Sequence, residues 1–194
     1  LTADAGTPPS GGSSGPDVVA ARNDIINPFW RFSLAVYAAP SVAAECLLAQ
    51  EALNIDVNCL LYCAWVGAEY NAALSDDDIL AIDRVTHEWY QAIVRPLRAV
   101  RQHLKMMDPH ADDAAKKLRA DVARNELFAE QIEQHLLFWS TDPRLNKAAR
   151  AAPDQAIRGN VTAFLLLMAK AKNVAEPPVV ERLIDAAIAY RKER

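Results

Sequence analysis

The chain has 194 residues, 52% of them hydrophobic, with 25 acidic and 21 basic side chains and a formal charge of −4. That length supports one ordinary core rather than two, and the acidic balance excludes a general nucleic-acid binder, which needs a basic surface to displace counterions from phosphates. No apolar run reaches the roughly 18 residues of a spanning helix, and the first residues lack the basic-then-apolar layout of a secretory signal, so the expected setting is cytoplasmic, with no membrane partner.

Residues 1–23, with Pro8-Pro9 and Gly11-Gly12-Ser13-Ser14-Gly15-Pro16, have the composition of a flexible leader, and a single helical domain is expected over 24–194. Asn27-Pro28 is a cap followed by a first-turn proline and opens a helix through Tyr37. Pro40 opens a second, through about Leu53. Asp56 caps a third, which runs to about Ala73 and is apolar nearly all round, the pattern of an interior helix. Ser75-Asp76-Asp77-Asp78 has capping-box spacing and acids where the helix dipole favours them. The helix it starts carries Ile79, Ile82, Val85, Trp89 and Ile93, and Pro96 predicts an end or a kink near Val94. Helix resumes to about Met107, Met107-Asp108-Pro109-His110 reads as a turn, and a long helix follows over about 112–139. In it Leu118, Val122, Asn125, Ala129, Ile132, Leu136 and Trp139 form the expected inward seam. Two further helices, about 154–172 and 178–192, are divided by Pro177-Pro178. No strand-like alternation is visible, and the expected fold is all-α, an irregular bundle of about seven to eight helices.

Asn58, Tyr62, Trp65 and Glu69 fall on one arc of the apolar third helix, and with Trp30 they are candidates for lining a site, Glu69 as acid or base. The same four suit a satisfied structural network, with Glu69 in the last turn reaching solvent or Arg31. Arg95, Arg98, Arg101 and Lys105 share a helix side, while the next helix carries Glu126, Glu130 and Glu133 at i, i+4 and i+7. Cross-helix ion pairs account for most of both stripes; Arg95 and Arg98, bracketing the proline, are kept as candidate ligand contacts. The histidines at 87, 103, 110 and 135 lack the Glu-x-x-His spacing of bundle di-iron sites, and Asp83 with His87 makes too small a set, so no metal or other cofactor is expected. Three cysteines make no disulfide framework; Cys59 and Cys63 are expected to be reduced, buried and inert.

Three stretches, Phe29-Trp30-Arg31-Phe32-Ser33-Leu34-Ala35-Val36-Tyr37, Asp56-Val57-Asn58-Cys59-Leu60-Leu61-Tyr62 and Val94-Arg95-Pro96-Leu97-Arg98-Ala99-Val100-Arg101, together resemble a bacterial family of conserved hypothetical proteins, domain of unknown function 2390. The resemblance covers about residues 25–172, leaving out the leader and the last helix, and implies a small helical bacterial cytoplasmic protein. It implies no activity, cofactor or catalytic residue. Two functions remain: a protein-interaction or scaffold module with another protein, or a second copy of the chain, as partner; or a small-molecule-binding protein or enzyme with a pocket at the Asn58, Tyr62, Trp65, Glu69 seam, taking a small apolar or acidic ligand.

Overall fold

Four of the helices in the described residues begin where a capping side chain stands. The structure is a computed structural model that describes residues 25–107, 112–140 and 149–193; the expected leader and the turn at 108–110 lie outside the described residues. Asn27 Oδ1 accepts from the Trp30 amide (2.9 Å) and opens α1, Pro28–Tyr37. Helix α2, Val42–Leu53, follows, and Asp56 Oδ1 takes the Asn58 amide (2.8 Å) to open α3, Val57–Tyr70. Ser75 and Asp78 close both bonds of the capping box at the start of α4, Asp76–Trp89. Asp112 caps α6, Asp113–Trp139, and α7 (Pro153–Ala171) and α8 (Glu181–Lys192) complete the chain.

The regular α-helix gives way ahead of Pro96, near where an end or kink is expected. A π-helical turn over Tyr90–Val94 leads directly into α5, Arg95–Met106, with Pro96 in its first turn. A proline lacks the N–H that an unbroken α-helix would require there, and widening the preceding turn by one residue absorbs the loss. Beyond the helices, Ala72–Ala73 (β1) pairs antiparallel with Ala149–Arg150 (β2). Two residues a side are too few to leave an alternating pattern in the sequence.

Helix α3 is the central rod: every residue from Asn58 to Ala68 is buried, and α7 lies along most of its length. The approach is close because Gly67 has no Cβ; one placed there would stand 2.6 Å from the Ile157 nitrogen of α7. Asn160, 1% exposed, staples this contact, donating to the carbonyls of Cys63 (3.2 Å) and Ala72 (2.9 Å) and accepting from the Leu74 amide (2.8 Å). At the far end Arg191 of α8 donates to Ala68 O (2.9 Å) and Asn71 Oδ1 (3.1 Å), satisfying acceptors at the end of α3 that its own ladder leaves open. The last helix, outside the region of resemblance, is therefore part of the core, with Leu183, Ile184 and Ala187 buried.

Helix α6 is rotated from the expected seam, of which Ala129 is buried and Val122 and Ile132 are half-buried. Leu118 (52%), Leu136 (38%) and Trp139 (72%) are exposed, as is Asn125, whereas Glu126, Ala129, Glu133, Gln134 and Leu137 are buried. The polar side turns inward because the core supplies cations and amides to meet it. On α4 likewise Val85 is exposed and Thr86 is buried in its place. Among the described residues no single helix is long and apolar enough to cross a membrane.

Candidate functional site

The N-terminus of α3 is buried, so its cap is buried too. Asp56 is 7% exposed, and donors converge on it: the Asn58 amide, the Thr86 hydroxyl (3.5 Å) and the Cys59 thiol (3.5 Å). Glu133 of α6, fully buried, hydrogen-bonds the same carboxylate and also meets Asn58, whose Nδ2 donates to Glu133 Oε2 (2.5 Å). Burial pushes both carboxyls up; the Asp56 charge drives Glu133 further, to about 10, whereas the Asn58 amide and the thiol of Cys59 hold Asp56 back. Of the two, Glu133 is driven the further up, and its carboxyl holds its proton at neutral pH. Glu133 Oε1 receives no donor among the described residues, which suits a carboxyl that keeps its proton.

This assignment orients the whole network. Because the Glu133 proton points at Asp56, Oε2 must accept from Asn58, and Asn58 Oδ1 must in turn accept from Gln134 Nε2 (2.7 Å). The chain runs Gln134 to Asn58 to Glu133 to Asp56, every donor aimed toward Asp56. At its head Gln134 Oε1, in a side chain 3% exposed, has no partner among the described residues.

Beside the chain is a cleft of about 280 Å³ between α1, α2, the start of α3, α5 and α6. Trp30, Leu34, Leu61 and Leu127 supply apolar wall; Asp56, Asn58, Gln134 and Ser33 supply polar groups, and the Ser33 hydroxyl is buried without a partner. One side is closed by Arg98, which donates to Glu126 Oε1 (3.1 Å), Glu130 Oε1 (2.5 Å) and Gln50 Oε1 (2.7 Å), while Arg101 also binds Glu126. Burial opposes the Arg98 charge, but Glu130 and Glu126 more than restore it, and its pKa stands above the ordinary value. Burial raises Glu130, partly offset by Arg98. These are the cross-helix ion pairs expected from the two charge stripes, held inside the protein rather than on its surface.

Of the candidates read from the sequence, Trp30, Asn58 and Arg98 meet at the cleft. Tyr62 and Trp65 lie beneath it in an aromatic stack with Phe29, at ring separations of 5.2 to 5.5 Å, and line none of it. Glu69 is exposed, beside Tyr190 and Arg191, eleven residues or about 16 Å along the rod from Asn58, and does not belong to this site. The polar arc is real at its start and runs out to solvent at its end. Arg95 is exposed and bonds Gln91 (2.8 Å), away from the cleft. The acids that do occupy the site, Asp56 and Glu133, read in the sequence as a cap and as part of a surface stripe. Their signal was the cap of an all-apolar helix, which must share its burial, and the i, i+4, i+7, i+8 spacing of Glu126, Glu130, Glu133 and Gln134, which is that of an inward face.

Asp83 Oδ2 and His87 Nδ1 are 3.8 Å apart on the surface, and among the described residues no group of three or more His, Cys, Asp or Glu is placed to hold a metal ion. The three cysteines are free and buried; burial lifts Cys46 to about 12 and Cys59 and Cys63 well above the ordinary thiol value, which suppresses thiolate chemistry.

Residues 28–137 match the family described as a protein of unknown function (DUF2390), a span that holds every residue lining the cleft, and the chain belongs to that family. No curated protein and no solved structure matches the chain.

Proposed function

We propose that this protein binds a small molecule in the cleft beside Asp56, Asn58 and Gln134. The observation that carries the reading is the pairing of a concave, partly apolar space with buried polar groups whose hydrogen-bonding capacity the protein leaves unused, at Gln134 Oε1 and Ser33 Oγ. An unpaired buried polar atom costs about 1–3 kcal/mol, and a ligand that reaches it recovers part of that cost. At about 280 Å³ the space is at the small end for ligand sites and suits a single-ring molecule. Native mass spectrometry of protein purified without stripping is expected to show a small-molecule adduct that is released on denaturation and lost in Leu47→Trp, which narrows the mouth at a half-exposed position. An adduct-free protein, or an adduct that survives the substitution, overturns the reading. The same spectra report stoichiometry and so test self-association.

A second reading, protein docking, is favoured by the rim. Leu34 (51%), Leu47 (49%), Leu48 (61%) and Leu127 (49%) are all exposed large apolar side chains, of the kind a partner helix covers. Under that reading Leu48→Glu abolishes a complex that elutes as one species on size exclusion; the adduct is unaffected, because Leu48 does not line the cleft.

A further inference from the structure

The cleft's unused groups and its charge define what it accepts, and this step rests on the small-molecule reading above. Facing the cleft are three carboxylates, Asp56, Glu126 and Glu130, against two guanidiniums, Arg98 and Arg101. Both arginines are already engaged by Glu126, and Arg98 also by Glu130 and Gln50. Each guanidinium is thus paired with a carboxylate, and neither is left unneutralised to meet an anion. An anionic ligand would be placed beside these carboxyl groups, with no free cation to meet it, in a desolvated space. The expected acidic ligand is therefore disfavoured by the partners the arginines have found.

The polar lining is rich in acceptors, with the Ser33 hydroxyl, able to donate or accept, the other unpartnered group. Gln134 gives one amide N–H to Asn58 and leaves its buried carbonyl oxygen without a partner among the described residues, and Asp56 on the same wall is an acceptor as well. We infer that the ligand is an uncharged or cationic ring compound that lays an apolar face on Trp30 and donates an N–H or O–H to Gln134 Oε1. Such a donor extends the chain by one member, so that ligand, Gln134, Asn58, Glu133 and Asp56 all point the same way, and each bond polarises the next.

Benzamide, benzylamine and benzoate test this, being one ring with a neutral donor, a cation and an anion of nearly equal size. Titrated into the full chain and followed by the ¹H–¹⁵N signals of the Trp30 indole and the Gln134 side-chain amide, benzamide and benzylamine are expected to shift both signals. Benzoate is expected to bind about tenfold more weakly or not at all. Gln134→Leu should remove most of the benzamide affinity. Because that change can also unsettle the core, half-buried Arg101→Gln is the second variant: it removes a positive charge from the lining and raises the affinity for benzylamine severalfold relative to that for benzamide. Benzoate binding as tightly as the others, or a folded Gln134→Leu protein with unaltered benzamide affinity, overturns the inference and leaves the cleft a ligand site of another kind. If none of the three moves either signal up to its solubility limit, the inference and the small-molecule reading fall together.

Discussion

Replacing Gly67 by alanine should cost about 3 kcal/mol and lower the melting temperature by roughly 10 °C, although alanine is the better helix former. The added methyl would stand 2.6 to 2.8 Å from backbone atoms of Ile157 and Ala156. A flexible side chain can move out of the way; the backbone of a packed helix cannot, so α3 and α7 must part. The Asn160 bonds that staple them would stretch with the separation. Gly159 on α7 is the matched control. Nothing lies within 4 Å of a Cβ there and the position is exposed, so Gly159→Ala should gain about 0.5–1 kcal/mol from helix propensity alone. Thermal unfolding followed by circular dichroism measures both, and equal stability of the two variants would refute the close approach of α3 and α7.

The second large effect is a dependence of stability on pH that runs opposite to that of ordinary ion-paired carboxylates. Glu133 has a folded pKa of about 10 against 4.5 for the unexcited group, so between those values the folded state binds the extra proton. Its contribution is complete below about pH 4.5 and is lost as pH rises toward 10, with a slope approaching about 1.4 kcal/mol per pH unit. The upward shift of Asp56 has the same sign. Urea unfolding of the wild type is therefore expected to show stability falling steadily from pH 5 to pH 9. Glu133→Gln is the informative variant, because an amide can donate to Asp56 and accept from Asn58 in the places the protonated acid uses. It should lie within about 1 kcal/mol of the wild type at pH 5, lose most of the slope and overtake the wild type at pH 9. Glu133→Ala, which leaves both neighbours short of a partner in a cavity, should cost about 3 kcal/mol at pH 5. A slope that persists in Glu133→Gln would mean that the extra proton lies elsewhere.

Several features were legible because their causes are local. Asn27, Asp56, Ser75 and Asp112 each cap a helix through a side-chain oxygen and an amide two or three residues on, so the starts of α1, α3, α4 and α6 could be read from short segments. The burial of α3 was legible because its circumference offers almost nothing else to solvent. The register of α6 was not, since a rule that turns leucine inward and glutamate outward fails where Glu126 meets two arginines and Glu133 meets an amide 75 positions away. Pro96 marked where the regular helix gives way, because its penalty is local, but not that a π-helical turn would carry the chain through to α5.

The sequence by itself determined an all-helical chain, most of its helix limits, its buried rod and its family, because propensity, capping and amphipathic period act over a few residues. Only the tertiary structure decided which acids are buried, which of them keeps its proton, and that Glu69 belongs to the surface while Glu133 belongs to the site. Those outcomes depend on desolvation and on partners from other helices, and neither quantity exists until the helices have packed.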